Sequence, residues 1–162
     1  MGLNASKRVE RTLSSSPEFD AACEAVYDSC LSEAQHAFPG VRRYQLVEAA
    51  AGLYGLISAG IPLVGRWVPK PPGRAQVDAA VRRVLPGASD DLARAEFRAF
   101  AVDLFRDAVL AGAGRAVLRG VPIGVAGIAG LGAATRAGGV VISRIMGVYA
   151  VGITAAVYLS LS

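Results

Sequence analysis

Apolar residues recur at helical spacing along most of this chain, and no stretch alternates apolar with polar as a half-buried strand would. Phe19, Cys23, Val26 and Cys30, with Tyr27, Leu31 and Ala34 beside them, form one stripe within 17–38. Ser16 suits the N-cap of that helix, Pro17 its first position, and Glu18 and Asp20 the positive end of its dipole. Pro39-Gly40 predicts a stop near Phe38. A second stripe, Leu46, Ala49, Ala50, Leu53, Leu56 and Ile57, predicts a helix from about Val41 to Ala59, closed by Gly60-Ile61-Pro62. Pro69, Pro71 and Pro72 make 66–73 an extended linker, because each biases the preceding residue away from helix. Val77, Val81, Val84 and Leu85 then mark a short helix. Leu92, Phe97, Phe100, Leu104, Phe105 and Ala108 mark a longer one starting at Ser89 or Asp90. The pattern is all-α, with about four helices filling a domain over 17–119.

From Gly120 the pattern changes. Nine of the 43 residues in 120–162 are glycine, each costing an isolated aqueous helix about 1 kcal/mol relative to Ala. Small residues let helices approach closely, and a bilayer removes the option of water-bonded backbone. Gly120, Gly124, Gly127, Ala134 and Gly138 fall on one helical side, interrupted by Leu131. Ser143, Gly147, Ala150 and Thr154 form a second small-residue face. Both faces are expected to be close-packing seams. A span needs about 20 apolar residues, but Val121–Ala134 supplies 14 and Ile145–Leu161 supplies 17. Counting from Ala137 reaches 25 at the cost of including Arg144, which must snorkel or pair. The expectation is a glycine-rich hydrophobic helical hairpin in the membrane, or a single C-terminal span after a re-entrant segment. The competing reading buries two very apolar helices in a soluble core.

Charge separates four regions. Residues 1–16 hold Lys7, Arg8 and Arg11 against Glu10 and read as a disordered basic arm. Residues 17–38 carry five acids and no Lys or Arg; 41–119 hold twelve basic and seven acidic residues; 120–162 hold two arginines and no acid. The acidic side of the first helix is a solvated face or a partner-binding one. Cys23 and Cys30 lie seven apart on one helix, about 10 Å along its axis, so they cannot bridge within it, and a reducing compartment follows. The first 30 residues contain no apolar run of the kind a secretory signal needs. An organellar transit peptide is the weaker reading of the start.

Candidate chemistry is sparse. The helix–loop–helix near residue 90 resembles an EF-hand in outline. With Glu96 at the twelfth loop position, Leu85 stands first, Gly87 third, Ser89 fifth and Asp90 sixth. A calcium loop needs a carboxylate first and Gly sixth, so only Leu92, at the apolar eighth position, and Glu96 fit, and micromolar calcium binding is not expected. His36, the single histidine, has no nucleophile or orienting acid near it in sequence and is expected to meet the carbonyls ending its helix. No Cys/His spacing suits a metal. GVAGIAGLG lacks the Lys-Ser/Thr of a phosphate loop. The arginines lie among acids without an aromatic platform, which argues against nucleic acid. Trp67, between Arg66 and Lys70, is a core residue or a headgroup-level anchor. No enzyme and no cofactor is expected.

The opening MGLNAS matches M-G-x-x-x-S, in which loss of Met1 exposes Gly2 for myristoylation and Ser6 completes the motif. Lys7, Arg8 and Arg11 add a basic second signal. One myristoyl chain binds a membrane with only about 10⁴ M⁻¹. Taken together, MGLNASKRVERTLSSSPEFDAACEAVYDSCLSEAQHAFPG, WVPKPPGRAQVD, GRAVLRGVPIGVAGIAGLGAATRAG and GVYAVGITAAVYLSLS resemble a family of small plant proteins that carry an N-terminal myristoylation site and have no assigned biochemical activity. The resemblance covers most of the chain and implies a lipidated, membrane-associated protein, with Gly2 as the lipid site and no catalytic residue to transfer. The expected function is a non-enzymatic scaffold of a membrane complex. Its partners are membrane lipids and another protein or a second copy bound through the Gly-rich helices. Its N-terminus faces the cytosol, at the plasma membrane first and the mitochondrial outer membrane second. A lipid-anchored signalling module with a degenerate EF-hand-like pair is the alternative, and a small pore or translocation subunit the third reading.

Overall fold

The computed structural model describes residues 2–87, 90–135 and 139–161, with side-chain surroundings described at 4–87, 90–120, 147–148 and 150–161. In chain order the elements are α1 (Gly2–Ser14), α2 (Pro17–Glu33), β1 (Val41–Arg42), a 3-10 turn (Arg43–Gln45), α3 (Leu46–Gly60), α4 (Pro62–Trp67), α5 (Arg74–Val84), β2 (Asp91–Leu92), α6 (Arg94–Thr135) and α7 (Gly139–Leu159). Among the described residues the chain is all-α apart from the two-residue strands. It divides into two compact units, Met1–Leu110 and Ala111–Ser162, with the division inside α6.

Residues 2–14 are a helix and not a disordered arm. Ala5, Val9 and Leu13, spaced four apart, are buried and give α1 a narrow apolar stripe among polar neighbours. The Arg98 guanidinium donates to the Ser14 carbonyl (2.9 Å), satisfying an acceptor near the end of α1. Arg106 stands 3.6 Å from Glu10. α2 follows the sequence expectation. The Ser16 hydroxyl accepts from the Phe19 amide (3.2 Å), Pro17 opens the helix, and Phe19, Ala22, Cys23, Val26, Tyr27 and Cys30 are buried. Phe19 meets Phe105 edge-on at 6.4 Å between ring centroids, and Tyr27 meets Phe97 at 5.7 Å. The aromatic core thus joins α2 to α6.

α2 stops at Glu33, five residues before the expected end. The amide of His36 donates to the Leu31 carbonyl (2.8 Å) and that of Gln35 to Ser32 (2.9 Å), the two bonds of a Schellman closure. That closure needs a left-handed residue, and Gln35 (φ 51°) and His36 (φ 53°) both adopt that conformation. His36 therefore lies beyond the helix and is exposed; its backbone, not its ring, meets the helix carbonyls. A glycine at position 35 would adopt the left-handed conformation without a Cβ penalty, so Gln35→Gly is expected to raise stability by about 0.5–1 kcal/mol, measurable by urea denaturation.

The predicted helix from Val41 is replaced at its start by β1 and the 3-10 turn. Val41 pairs with Leu92 and Arg42 with Asp91, antiparallel. Val41 and Leu92 are both fully buried, so a two-residue strand serves to place one apolar anchor per loop. α3 buries Leu46, Ala49, Ala50, Leu53 and Ile57, whereas Leu56, expected on the same side, is exposed. Arg66 and Trp67 belong to α4, so the extended linker shortens to 68–73. Trp67 is half-buried, with the Arg66 guanidinium over its ring at 5.2 Å. α6 starts at Arg94, later than expected, but buries Phe97, Phe100, Leu104, Phe105 and Ala108 as the stripe predicts.

A repeat runs through the first unit. α2 ends at Glu33 and α5 at Val84, Val41 pairs with Leu92, and Gln45 and Glu96 hold the same loop position. Each pair is 51 positions apart (84 − 33, 92 − 41, 96 − 45). The buried pairs Val26/Val77, Cys30/Val81, Leu46/Phe97, Ala49/Phe100, Ala50/Ala101 and Leu53/Leu104 keep the same shift. Two helix–loop–helix units, α2–β1–α3 and α5–β2–α6, are thereby tied loop to loop.

In the second unit α7 folds back on α6: a Cβ at Gly120 would stand 3.3 Å from the Ile153 Cδ1. This antiparallel register brings Ala113 level with Leu161, and both are buried. Ala150, Ile153, Thr154 and Val157 are half-buried. Gly147 is exposed, with open space where a Cβ would stand, so it takes no part in the expected second seam, of which Ala150 and Thr154 are half-buried. The surroundings of Gly124, Gly127 and Ser143, and Gly138 itself, lie outside the described residues. Among the described residues no helix is long and apolar enough to cross a membrane, and the expected C-terminal span is not found there.

Candidate functional site

The pairing register aligns the two loops with a twelve-residue cation loop and decides what they do. Placing Val41 and Leu92 at the eighth position gives loops Ala34–Gln45 and Leu85–Glu96. The first positions are Ala34 and Leu85, and the sixth are Pro39 and Asp90, so neither loop has the entering carboxylate or the turning glycine that calcium requires. The twelfth positions, which would hold the cation bidentately, are occupied otherwise. Gln45 Oε1 accepts from the Arg42 amide (3.1 Å), and Glu96 Oε2 accepts from the Ala93 amide (2.8 Å). Each side chain thus reaches back to a backbone donor three residues earlier, as in the second half of a capping box. Gln45 also donates to the Cys30 carbonyl (2.8 Å), bonding α2 to the start of α3. Among the described residues no three His, Cys, Asp or Glu side chains are grouped to hold a metal.

The space around the loops is closed by further internal bonds. Arg42 pairs with Asp91 (3.0 Å) and lies over the Phe38 ring, and Arg43 donates to the Gly87 carbonyl (3.1 Å). A small cavity of about 130 Å³ between the 3-10 turn, α3 and α5 is lined by Arg43, Leu46, Val77, Asp78, Val81 and Arg82. It is well below the roughly 300 Å³ of a small-molecule pocket.

The acidic side of α2 is used within the unit. Arg98 meets Asp20 (2.7 Å), and Arg94 meets Glu24 and Asp28 (2.8 Å to Asp28) while stacking over the Tyr27 ring at 4.5 Å. Glu33 accepts from Ser29. The face that sequence leaves open as a partner surface is the seat of α6. A second network joins three helices: Asp103 of α6 accepts from Arg83 of α5 (2.8 Å to Nε) and from Arg106, and Arg106 continues to Asp107 and to Glu10 of α1. Asp103 is 8% exposed, buried in spite of its charge.

The thiols offer no reactive centre. Burial, aided by Asp20, pushes Cys23 up to about 12, and burial with Glu33 and Glu48 pushes Cys30 up to about 11. Both stay protonated at neutral pH, and the thiolate is the nucleophile.

The N-terminal motif takes a definite place. Gly2 opens α1, Ser6 and Arg8 are half-buried, and Lys7 and Arg11 are exposed on the side away from Ala5, Val9 and Leu13. Lys7 and Arg11 thus sit on the outward face of a packed helix. Charge is partitioned between the units. All 13 acids lie in 1–110 with 13 of the 17 basic residues; Arg115, Arg119, Arg136 and Arg144 remain (17 − 13 = 4), so the whole net charge of +4 belongs to Ala111–Ser162.

The chain matches no protein-family model, no curated protein and no solved structure.

Proposed function

We propose that the chain is an N-myristoylated, non-enzymatic module that holds to a cytosol-facing membrane and scaffolds a complex there through its paired helix–loop–helix units. The observation that carries this reading is the placement of Gly2 at the head of a helix packed on the first unit by Ala5, Val9 and Leu13. A lipid there is joined to the body through a short, ordered segment with Lys7 and Arg11 outward, each adding about 1 kcal/mol on an anionic leaflet. The resemblance to small plant proteins with an N-terminal myristoylation site supports the same reading and leaves the plasma membrane as the first location to test. The 51-residue repeat favours the related reading of a lipid-anchored signalling module built on a calcium-free, EF-hand-like pair. In both readings the lipid is the covalent group and no cofactor takes part. A pore draws no support from the described helices.

The test is metabolic labelling with an alkynyl myristate in a eukaryotic cell, for wild type and Gly2→Ala, each followed by membrane fractionation. Label on wild type, none on Gly2→Ala and a lower membrane fraction for the variant are expected. Wild type without label overturns the reading.

A further inference from the structure

The residues that a myristoyl transfer must read are the ones that the fold puts away. Gly2 opens α1, and Ser6 stands about one helical turn later. Ala5 is buried and Ser6 half-buried, so part of the motif lies against the body of the first unit. Val9 and Leu13, both fully buried, continue the same stripe. Unwinding the first turn alone leaves Ser6 three residues from Val9 and still beside the body, so an enzyme cleft that encloses residues 2–6 needs α1 released. The hold on α1 comes from far along the chain. The Arg98 guanidinium donates to the Ser14 carbonyl (2.9 Å) across 84 positions, and Arg106 stands 3.6 Å from Glu10. The connection to α2 has no slack. The Ser15 and Ser16 amides donate back to the Arg11 and Leu13 carbonyls (3.0 and 3.2 Å), and the Ser16 hydroxyl accepts from the Phe19 amide at the head of α2.

We infer that folding of the first unit closes Gly2 to acylation: the docking of α1 is an autoinhibitory contact, and the lipid is attached before α6 has been made and packed. The inference rests on the reading of Gly2 as a myristoylation site and adds which form of the chain is the substrate. In the transfer the Gly2 amine attacks the carbonyl carbon of myristoyl-coenzyme A. The amide C–N bond forms as the thioester C–S bond breaks, and the proton lost by the amine leaves with the coenzyme A thiol. That attack needs a clear approach to the amine and to the residues that follow it. During synthesis the approach is open. An isolated helix of 13 residues is marginal in water, and α1 has nothing to bury its stripe against until α6 exists. Making the 96 positions (106 − 10) between Glu10 and Arg106 takes roughly 5–20 s at about 5–20 residues per second. Once α1 is seated, reactivity falls in proportion to the undocked fraction. The lipid state of each chain is therefore set once, as it is made.

The full chain, produced in bacteria without myristate and with Met1 removed, is incubated with a eukaryotic N-myristoyltransferase and myristoyl-coenzyme A. A peptide of residues 2–16 serves as the unfolded reference. The peptide is expected to be acylated at least about tenfold faster than the folded chain, the ratio for a helix docked in nine molecules of ten. Arg98→Gln lies outside any stretch that the enzyme reads. It is expected to raise the rate of the chain at least about threefold by enlarging the undocked fraction, while circular dichroism and urea denaturation show the rest of the unit still folded. Val9→Asn with Leu13→Asn, which leaves residues 2–8 unchanged, should bring the rate to that of the peptide. Equal rates for the peptide and the folded wild-type chain overturn the inference and leave Gly2 as the lipid site, and this comparison needs no variant to fold. A slow chain that neither variant speeds overturns it as well. A peptide that takes no myristate removes the lipid site itself, and the inference with it.

Discussion

Gly40→Val is expected to lower the stability of the first unit by roughly 3 kcal/mol, as overpacking against a surface that cannot yield does. A Cβ at position 40 would stand 2.3 Å from the Leu92 carbonyl oxygen and 2.8 Å from its carbon. Those atoms are backbone, fixed by the pairing of Val41 with Leu92, so no side-chain rotation relieves the clash. The loops must part, and with them the two fully buried anchors. Gly40 is required here by close approach and not by its own dihedral angles, since no glycine has positive φ among the described residues. Gly55→Ala is the matched control. It sits in α3 with nothing within 4 Å of the new Cβ and should gain about 0.5–1 kcal/mol from helix propensity. Denaturant titration of both variants checks the pair, and a Gly40→Val midpoint equal to wild type would mean that the loops are not tied as described.

Asp103→Ala is expected to cost about 2–3 kcal/mol. Breaking a buried pair by removing one partner typically costs about 3–5 kcal/mol, because the remaining charge loses its compensation; the partial exposure of Arg83 (42% of its side chain) lowers the figure here. Arg106, with 20% of its side chain exposed, would keep Asp107 and Glu10 alone. Asp107→Ala removes a carboxylate that is 43% exposed in the same network and should cost about 1 kcal/mol or less. Thermal denaturation of the two variants separates a network centred on Asp103 from one spread evenly over its acids. Equal losses would contradict the central role.

The helices of the first unit were legible wherever the apolar stripe was broad. Phe19, Val26 and Cys30, or Phe97, Phe100 and Leu104, are large and frequent enough to set the period, and all are buried. α1 was not legible, because its stripe is one residue per turn and begins with Ala5. Its order comes from tertiary partners, Arg98 at Ser14 and Arg106 at Glu10, that sit far away in sequence. β1 and β2 escape a periodicity argument for a different reason: two residues are too few to alternate. The signal that would have found them is the 51-residue shift itself. Val41-Arg42 and Leu92-Ala93 stand equally far before Leu46 and Phe97, and an offset comparison of the sequence with itself brings the apolar positions into line. The ion pairs on α2 were half legible. Its five acids were evident, but nothing local names Arg94 and Arg98 as the residues that meet them. For the candidate site, Gly2 and Ser6 are read from a motif, while the burial of Ala5 between them comes from the tertiary packing of α1.

The repeat also accounts for where the second unit begins. α3 ends at Gly60, and the position 51 residues later is 111 (60 + 51), the first residue of Ala111–Ser162. α6 fills the role of α3 up to that point and then runs on.

The two capped loops have a consequence for control. In a loop that waits for a cation, the twelfth side chain is idle until the ion arrives, and the helix that follows has two settings. Gln45 and Glu96 are already engaged with the backbone, which ties the start of α3 and of α6 to the loop that precedes each. Such a pair acts as a fixed coupling: each loop holds the helix before it and the helix after it in one arrangement through bonds that the chain itself supplies.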